Sequence, residues 1–300
     1  MNKDTKRKIK YALAKSLFWV PDDVMLRIQY FILKKRKLHL KNPQRFSEKV
    51  QWYKAYYHNP EMLDCVDKYR VREYVAKKLG TDKYLNELYQ VCDDASQINF
   101  NALPDKFVIK TSDGGGGDNV LICKNKKYLD IDFVIHTVNS WRNKQYYIVS
   151  REWAYRGAKD SKILVEKYLV DKDNLDESID DYKFFCYNGN YKFLWVDKDR
   201  FTNHTRCFYD QDLRWIKGIV SDYPASNVEF PLPANIGEMI TVAEKLSMGF
   251  PFVRVDLYNL SGTILFGEMT FYPASGYLDF YPDSFDYELG KFFEVQSLQK

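Results

Sequence analysis

Residues 107–122 read FVIKTSDGGGGDNVLI, in which four consecutive glycines join two short apolar runs. The pattern predicts a strand, a glycine loop and a second strand. Glycine reaches backbone angles that other residues avoid, so such a loop can fold over a ligand and turn its N–H groups inward. Lys110 adds a fixed positive charge at the base of the loop. These features suit a polyphosphate and make ATP the first ligand to consider.

The composition is that of a folded globular protein with an unevenly distributed charge. The chain has 300 residues, 45% of them hydrophobic and 17% aromatic, which suffices for one large or two moderate domains. The aromatic content favours a tyrosine-rich sheet protein, with a surface that stacks on sugars or bases as the alternative. Residues 1–41 hold twelve Lys or Arg and three Asp or Glu, about +9, which leaves about −5 on the remainder. This asymmetry argues against a general nucleic-acid-binding protein.

The cysteines and the N-terminus predict a cytoplasmic protein. The cysteines are scattered without a C-x-x-C pair, which suits a reducing compartment and does not indicate a zinc site: Cys65, Cys92, Cys123, Cys186 and Cys207. We expect no secretory signal, because a clean apolar run and a cleavage site are missing near the N-terminus. We also expect no membrane span, because no run of about 18 apolar residues occurs.

The first 40 residues predict two amphipathic helices separated by Pro21. Their apolar stripes consist of Ile9, Leu13, Leu17 and Val20, then Val24, Ile28, Phe31 and Ile32. Two interpretations remain open. The helices either pack on the body of the protein or form a peripheral anchor on the cytoplasmic face of an anionic membrane, which Trp19 and the surrounding basic residues favour.

The rest of the chain predicts a mixed α+β architecture. We expect helices within 46–80, with Gly80 as a C-terminal stop, and at 129–143 and 235–248. Apolar runs predict strands at 107–110, 120–123, 147–149, 163–170, 182–187, 191–196, 253–258 and 263–268. Asn188-Gly189 predicts a tight hairpin turn.

A second group of polar residues lies on the last two predicted strands. Alternation places Arg254 and Asp256 on one face of the first strand, and Glu268 and Thr270 on one face of the second. A turn at 259–262 would bring Asp256 and Glu268 together, and two adjacent carboxylates repel unless a cation lies between them. Mg²⁺ accepts one or two carboxylates together with phosphate oxygens. The alternative is a surface hairpin with ordinary charges.

The order of these segments resembles one family. The glycine loop is neither a P-loop nor a Rossmann turn, because a strand follows it instead of a helix. Asp67-Lys68 on a helical segment, Lys110 with the glycine loop, the run Glu166-Lys167-Tyr168-Leu169, and then R-x-D and E-x-T resemble the TupA-like ATP-grasp family of bacterial surface-polysaccharide gene clusters. The resemblance covers roughly residues 65–280. It implies an α+β ATP-grasp fold with a helical region at 1–60 and two subdomains, 61–165 and 166–300, that clamp ATP.

The resemblance also implies roles for individual residues. The ATP-binding set would be Lys68 and Lys110 on the phosphates, the flap Gly114, Gly115, Gly116 and Gly117, the adenine hinge Glu166, Lys167, Tyr168 and Leu169, and Asp173 on the ribose. The catalytic and metal set would be Lys183 on the γ-phosphate, Arg254 on the reacting group, and Asp256, Glu268 and Thr270 on Mg²⁺. Most ATP-grasp enzymes carry Asn where Thr270 stands, but a hydroxyl can also ligate Mg²⁺ or hold its water.

The implied reaction joins a carboxylate to an amine through an acylphosphate. We expect the carboxylate to belong to a sugar, as a uronic acid does, and the product to enter a capsule, O-antigen or related polymer. Candidate acceptor-binding residues are Arg200, His204 and Arg206, with Tyr272 and Ser275 after the last strand. For the first three, a solvated hairpin is the alternative.

Three other functions stay open. A sugar phosphotransferase would use the same ATP site but needs a base, for which the sequence offers no clear candidate. A glycosyltransferase would use a D-x-D motif, which Asp171-Lys172-Asp173 and Asp197-Lys198-Asp199 match in letters. A nucleotide-binding module without turnover is the third possibility.

Overall fold

The computed structural model describes residues 3–113, 119–142, 146–157, 161–171, 178–200 and 202–296. The N-terminal helices are α1 (Lys3–Ser16), α2 (Asp22–Lys34), α3 (Phe46–Tyr56), α4 (Glu61–Cys65) and α5 (Val71–Leu79). Gly80 ends α5 in the left-handed conformation at φ 70°, which confirms the predicted stop. Among the described residues no helix is long and apolar enough to cross a bilayer.

The first sheet contains the strands around the glycine loop. Its strands are β1 (Leu88–Cys92), β2 (Phe107–Thr111), β3 (Val120–Cys123) and β4 (Ile163–Lys167), in the antiparallel order β1-β4-β2-β3. The helix α6 (Ile131–Trp141) covers this sheet and begins at Asp130, whose side chain accepts a hydrogen bond of 2.9 Å from the Phe133 amide. The predicted strand–loop–strand unit is therefore confirmed at both strands.

The second sheet forms the larger part of the protein. It comprises β5 (Asp181–Tyr187), β6 (Asn190–Lys198), β7 (Thr205–Tyr209), β8 (Trp215–Ile216), β9 (Phe252–Leu260) and β10 (Thr263–Thr270), all antiparallel in the order β10-β9-β5-β6-β7-β8. Asn188 and Gly189 turn β5 into β6 with φ of 49° and 78°, as the sequence predicts. One face packs apolar residues against α8 (Ile236–Ser247). The other face carries the charged residues.

Helices from both ends of the chain cover part of this charged face. The C-terminal helix α9 (Ser284–Lys291) packs against α3, and the ring of Phe46 lies 5.0 Å from that of Phe252. From the region predicted as separate at 1–60, the α3 residues Phe46, Val50 and Tyr53 thus belong to the same core as the second sheet. The boundaries of the two predicted subdomains remain a prediction.

Residues 147–149, predicted as a strand, are instead helical in α7 (Tyr146–Ser150). The run is rich in residues that favour strands, but Ile148 is buried and the helix packs against α1. The Val149 carbonyl accepts a hydrogen bond of 2.9 Å from the Gln29 side chain. Tertiary contacts have overridden local propensity here.

Candidate active site

The second sheet brings the predicted metal ligands together through a bulge in β10. Leu257 pairs with Phe266, and Asp256 pairs with Glu268, so Gly267 is one extra residue. Without this bulge, Glu268 would lie opposite Val255 and point to the apolar face. A side chain at position 267 would begin only 3.0 Å from the Asp256 carbonyl oxygen. Glycine therefore permits the bulge, and the bulge places both carboxylates on one face.

The guanidinium of Arg254 lies between these two carboxylates. It donates to Asp256 from Nε at 2.7 Å and from Nη2 at 2.6 Å, and Nη2 also lies 3.3 Å from Glu268 Oε1. Thr270 Oγ1 accepts from the same Nη2 at 3.1 Å and donates to Glu268 at 3.0 Å. The positive charge between Asp256 and Glu268 is thus supplied by the Arg254 guanidinium.

Lys183 on the neighbouring strand β5 joins this group. Its register partner is Asp256, and its Nζ lies 2.9 Å from Asp256 Oδ2. Burial lowers the pKa of the Lys183 ammonium, but the carboxylates of Asp181 and Asp256 outweigh burial and raise the pKa above its usual value. Lys183 therefore keeps its charge on the face where a phosphate would be bound.

Asp181 is a member of this group that the sequence analysis missed. Its Oδ2 accepts from Lys183 and from Arg200 Nη1, the latter at 2.9 Å. Its Oδ1 is buried and has no hydrogen-bond partner among the residues that the structure describes. A signal was present in the sequence, since Asp181 and Lys183 share a strand face at a spacing of two. The result is a row of alternating charges that runs from Arg200 through Asp181, Lys183 and Asp256 to Arg254.

Lys68 connects this row with the first sheet. Burial lowers the pKa of the Lys68 ammonium. The negative charge of Glu268 raises this pKa, and the positive charge of Lys110 lowers it further. The Lys68 amide donates to the Ser112 carbonyl at 2.8 Å. Lys110 in turn forms an ion pair of 2.7 Å with Glu166. Lys68 thus lies within electrostatic reach of both Lys110 and Glu268.

The position of Lys68 depends on its neighbour Asp67. One carboxylate oxygen of Asp67 accepts from the amides of Tyr69 and Arg70, each at 2.9 Å, immediately before α5. The other accepts from Ser112 Oγ at 2.6 Å. This carboxylate therefore ties the segment that carries Lys68 to the strand that leads into the glycine loop.

The predicted adenine hinge lies at the end of β4. Glu166 is buried and Lys167 is exposed. The Lys167 amide donates to the Glu87 carbonyl at 3.0 Å, and the Lys167 carbonyl accepts from Asn86 at 3.0 Å. A carbonyl oxygen has two lone pairs, so contact with adenine would use the second. The roles of Lys167, Tyr168 and Leu169 remain predictions.

Two parts of the predicted nucleotide site fall on residues that the structure does not describe. The flap residues Gly114 to Gly117 and the ribose residue Asp173 lie outside the described residues. Their assignment to ATP therefore stays an expectation.

A buried cluster adjoins the loop that follows β10, where Tyr272 and Ser275 were predicted to bind the acceptor. Lys54 is fully buried and donates to the carbonyl and hydroxyl of Ser275, each at 2.7 Å. Burial lowers the pKa of Lys54 to about 8, opposed by the charge of Glu152. Tyr272 is also buried. The sequence analysis missed Lys54 and Glu152 because neither belongs to a recognisable motif.

The three other candidate acceptor residues differ in how far their side chains are exposed to solvent. Arg206 is buried, and its guanidinium is bound by Asp197 at 2.5 Å and Asp222 at 2.6 Å. His204 stacks on Tyr223 with ring centroids 3.6 Å apart. The Arg200 side chain is 39% exposed. The donors of Arg206 are already engaged, and His204 Nε2 lies 3.2 Å from Asp197 with its side chain only 13% exposed. Arg200 is therefore the most open of the three to an acidic ligand.

The donor set fits Mg²⁺ bound together with a nucleotide. Among the described residues there is no group of three or more His, Cys, Asp or Glu that could enclose a metal ion. Asp256, Glu268 and Thr270 instead offer two carboxylates and a hydroxyl. Mg²⁺ commonly takes one or two carboxylates and completes its shell with water and phosphate oxygens. The Glu268 side chain is 43% exposed, so this part of the set is open to a ligand.

Solved structures with a similar fold include ligases. D-alanine–D-alanine ligase from Bacillus anthracis is 16% identical, with 69% of this chain and 57% of that chain covered and a TM-score of 0.42. L-amino acid ligase from Bacillus licheniformis is 13% identical, and the match covers 87% of this chain and 57% of that chain with a TM-score of 0.46. N5-carboxyaminoimidazole synthetase from Staphylococcus aureus, complexed with ADP, is 14% identical, and the match covers 69% of this chain and 44% of that chain with a TM-score of 0.41.

The chain thus spans less than two thirds of the length of these solved proteins. No curated protein sequence matches it significantly. A family model described as TupA-like ATPgrasp matches residues 48–294, which is most of the chain. The protein belongs to the TupA-like ATP-grasp family.

Proposed function

We propose that the protein is an ATP-dependent ligase that joins a carboxylate to an amine. The observation that carries this proposal is the placement of Arg254 between Asp256 and Glu268, with Lys183 bound to the same Asp256. This group offers donors for a reacting carboxylate and acceptors for a divalent cation on one sheet face. In the overall reaction, ATP, a carboxylate and an amine yield ADP, phosphate and an amide.

The first half-reaction transfers the γ-phosphoryl group to the carboxylate. A carboxylate oxygen attacks phosphorus, the bond to the ADP oxygen breaks, and an acylphosphate forms. Lys183, Lys68 and Lys110 would hold the phosphates by charge, which lowers the repulsion between anionic reactants. A bound Mg²⁺, held by Asp256, Glu268 and Thr270, would further neutralise the triphosphate.

The second half-reaction forms the amide. The amine attacks the acyl carbon, the carbon–oxygen bond to phosphate breaks, and the proton released from the amine passes to solvent. Negative charge develops on the acyl oxygen in the transition state. Arg254 is suited to stabilise that charge, because its guanidinium carries five N–H donors in a fixed plane, and Nε and Nη2 already anchor it to Asp256.

We further propose that the carboxylate belongs to a sugar, as in a uronic acid. Arg200 supports this proposal, because it places a partly exposed guanidinium at one end of the charged row. The product would enter a bacterial surface polysaccharide such as a capsule or O-antigen. We expect the reaction on the cytoplasmic side.

The test is product analysis with defined substrates. The purified chain would be incubated with Mg-ATP and a panel of uronic acids paired with amino acids. We expect ADP and free phosphate to appear in equal amounts only when both substrates are present, together with an amide identified by mass. ADP without free phosphate would instead identify a phosphotransferase. ADP formation that never depends on an amine would contradict the ligase.

A further inference from the structure

The helix α2 has two faces with different surroundings. Its inner face is buried through Met25, Leu26, Tyr30 and Lys34. Tyr30 shares a hydrogen bond of 2.8 Å with Ser47, and Lys34 donates to the Leu278 carbonyl at 2.7 Å. The helix is therefore fixed on the body of the protein by these residues.

The outer face of α2 consists of the stripe that the sequence predicted to be buried or membrane-bound. It is formed by Val24, Ile28, Phe31 and Ile32, which are 42–62% exposed. Ile9 and Leu13 on α1 are 53% and 58% exposed, and Trp19 between the helices is 79% exposed. We call these seven residues the docking face. Soluble proteins rarely leave such a large group of apolar side chains in water.

Exposed basic residues lie in the same helical region as the docking face. Exposed lysines occur on α1 at Lys8, Lys10 and Lys15, and beyond α2 at Lys35 and Lys37. Of the nearby acidic residues, Asp22 is already bound by Arg151 and Arg156. A helical region that exposes both apolar and basic side chains is complementary to a bilayer that contains anionic lipids.

We propose that the docking face binds the surface of a bilayer rich in anionic lipids, with Ile28 and Phe31 in the headgroup region. This binding is independent of the ligase chemistry proposed above. A second copy of the chain is the less suitable occupant, because symmetric pairing of two such faces would bring their lysines together. Trp19 suits the same site, because tryptophan favours the membrane–water interface.

The test uses a matched pair of helical phenylalanines with the same exposure. Phe31 and Phe133 are each 62% exposed, and Phe133 lies on α6, away from the docking face. We would measure co-sedimentation of the full chain with phosphatidylcholine vesicles that contain or lack phosphatidylglycerol, in the absence of nucleotide. We expect wild-type binding only with phosphatidylglycerol, a loss of at least roughly tenfold for Ile28→Glu/Phe31→Glu, and no loss for Phe133→Glu.

A second variant and a second measurement exclude simpler explanations. Lys35→Glu/Lys37→Glu should weaken binding while leaving the apolar residues in place, and all variants should keep the wild-type circular dichroism and melting temperature. Equal binding to both vesicle types would overturn the role of anionic lipid. Failure to bind vesicles would overturn the proposal, and a dimer in light scattering that Ile28→Glu/Phe31→Glu abolishes would assign the face to a second copy. Because no nucleotide is used, none of these outcomes depends on the ligase activity.

Discussion

At the scale of single residues, Arg254 explains how two carboxylates can lie side by side on one sheet face. Both oxygens of Asp256 accept from cationic donors, and Glu268 shares one of those donors. Burial would raise the pKa of Glu268, but the charges of Lys68 and Arg254 outweigh burial and lower the pKa to about 2. Glu268 is therefore ionised throughout the physiological pH range and available to a cation.

Glu268→Gln should abolish turnover without unfolding the protein. The substitution removes the negative charge that would hold Mg²⁺, but it keeps the shape and the oxygen that accepts from Thr270. We expect acceptor-dependent ADP release to fall by roughly a hundredfold or more. The control is Glu288→Gln on the exposed surface of α9. Wild-type rates in Glu268→Gln would remove this residue from the metal site.

Lys54 should make stability depend on pH. Its folded pKa is about 8, whereas the unfolded value is 10.5. Between these values Lys54 binds its proton more strongly in the unfolded chain, so its own contribution to the free energy of unfolding rises with pH across this window, by up to about 3 kcal/mol. We expect the wild type to gain unfolding free energy relative to Lys54→Met over this window in urea unfolding, because the other titrating groups are common to both proteins. Parallel curves for the two proteins would contradict the assignment.

At the scale of elements, the bulge in β10 determines which face carries Glu268. The sequence analysis placed Asp256 and Glu268 together from strand alternation and a turn at 259–262. Regular pairing from that turn would have placed Glu268 opposite Val255 instead. The expected proximity is confirmed because Gly267 adds one residue to the strand. Gly267 was visible in the sequence, but a bulge depends on cross-strand contacts that a single sequence does not display.

Gly267→Ala should disturb both stability and activity. The added methyl group would lie 3.0 Å from the Asp256 carbonyl and 3.3 Å from the Tyr258 ring, so β10 must shift away from β9. We expect a loss of about 1 kcal/mol in unfolding free energy and a severalfold lower rate. Gly237→Ala in α8 is the contrasting variant, because its added methyl group would meet no atom outside its own stretch of helix and alanine favours a helix, so we expect no loss of stability. Equal behaviour of the two variants would argue against a constrained bulge.

Other elements show which parts of the fold can be predicted from sequence. Strands with a continuous apolar run and a clear turn were predicted, as at 182–187 and 191–196. The edge strand β1 was missed because its apolar and polar residues do not alternate clearly. Most of its residues are half-buried. The strand β7 was missed because it contains Arg206, whose burial depends on Asp197 across the sheet. Such strands are specified by their partners more than by their own residues.

At the scale of the whole molecule, the N-terminal helical region exposes an apolar stripe and also binds a buried arginine of the body. Arg151 is buried, and its guanidinium donates to the carbonyls of Leu17 at 2.8 Å and Val20 at 2.9 Å and pairs with Asp22 at 3.0 Å. The sequence left two interpretations of these helices, packing on the body or facing a membrane, and the two faces of α2 account for both. One face of α2 packs on the body, and its apolar stripe stays exposed.

Deletion of residues 1–40 should destabilise the protein. It would leave the Arg151 guanidinium without these partners and expose the cluster around Trp52, in which Leu26 and Tyr30 are buried. Removing one side of a buried charge interaction costs about 3–5 kcal/mol. We expect a clear drop in melting temperature by calorimetry, whereas Ile28→Glu/Phe31→Glu should leave it unchanged. An unaltered melting temperature in the truncated protein would show that Arg151 finds other partners.

The row of alternating charges has a consequence for how ligands affect one another. An anionic substrate that attracts Arg200 would weaken its contact with Asp181, and Asp181 would then hold Lys183 more strongly. Lys183 would release part of its hold on Asp256, whose carboxylate would become a better ligand for a cation. Occupancy at one end of the sheet would therefore favour occupancy at the other, and thermodynamic linkage requires the effect to be mutual.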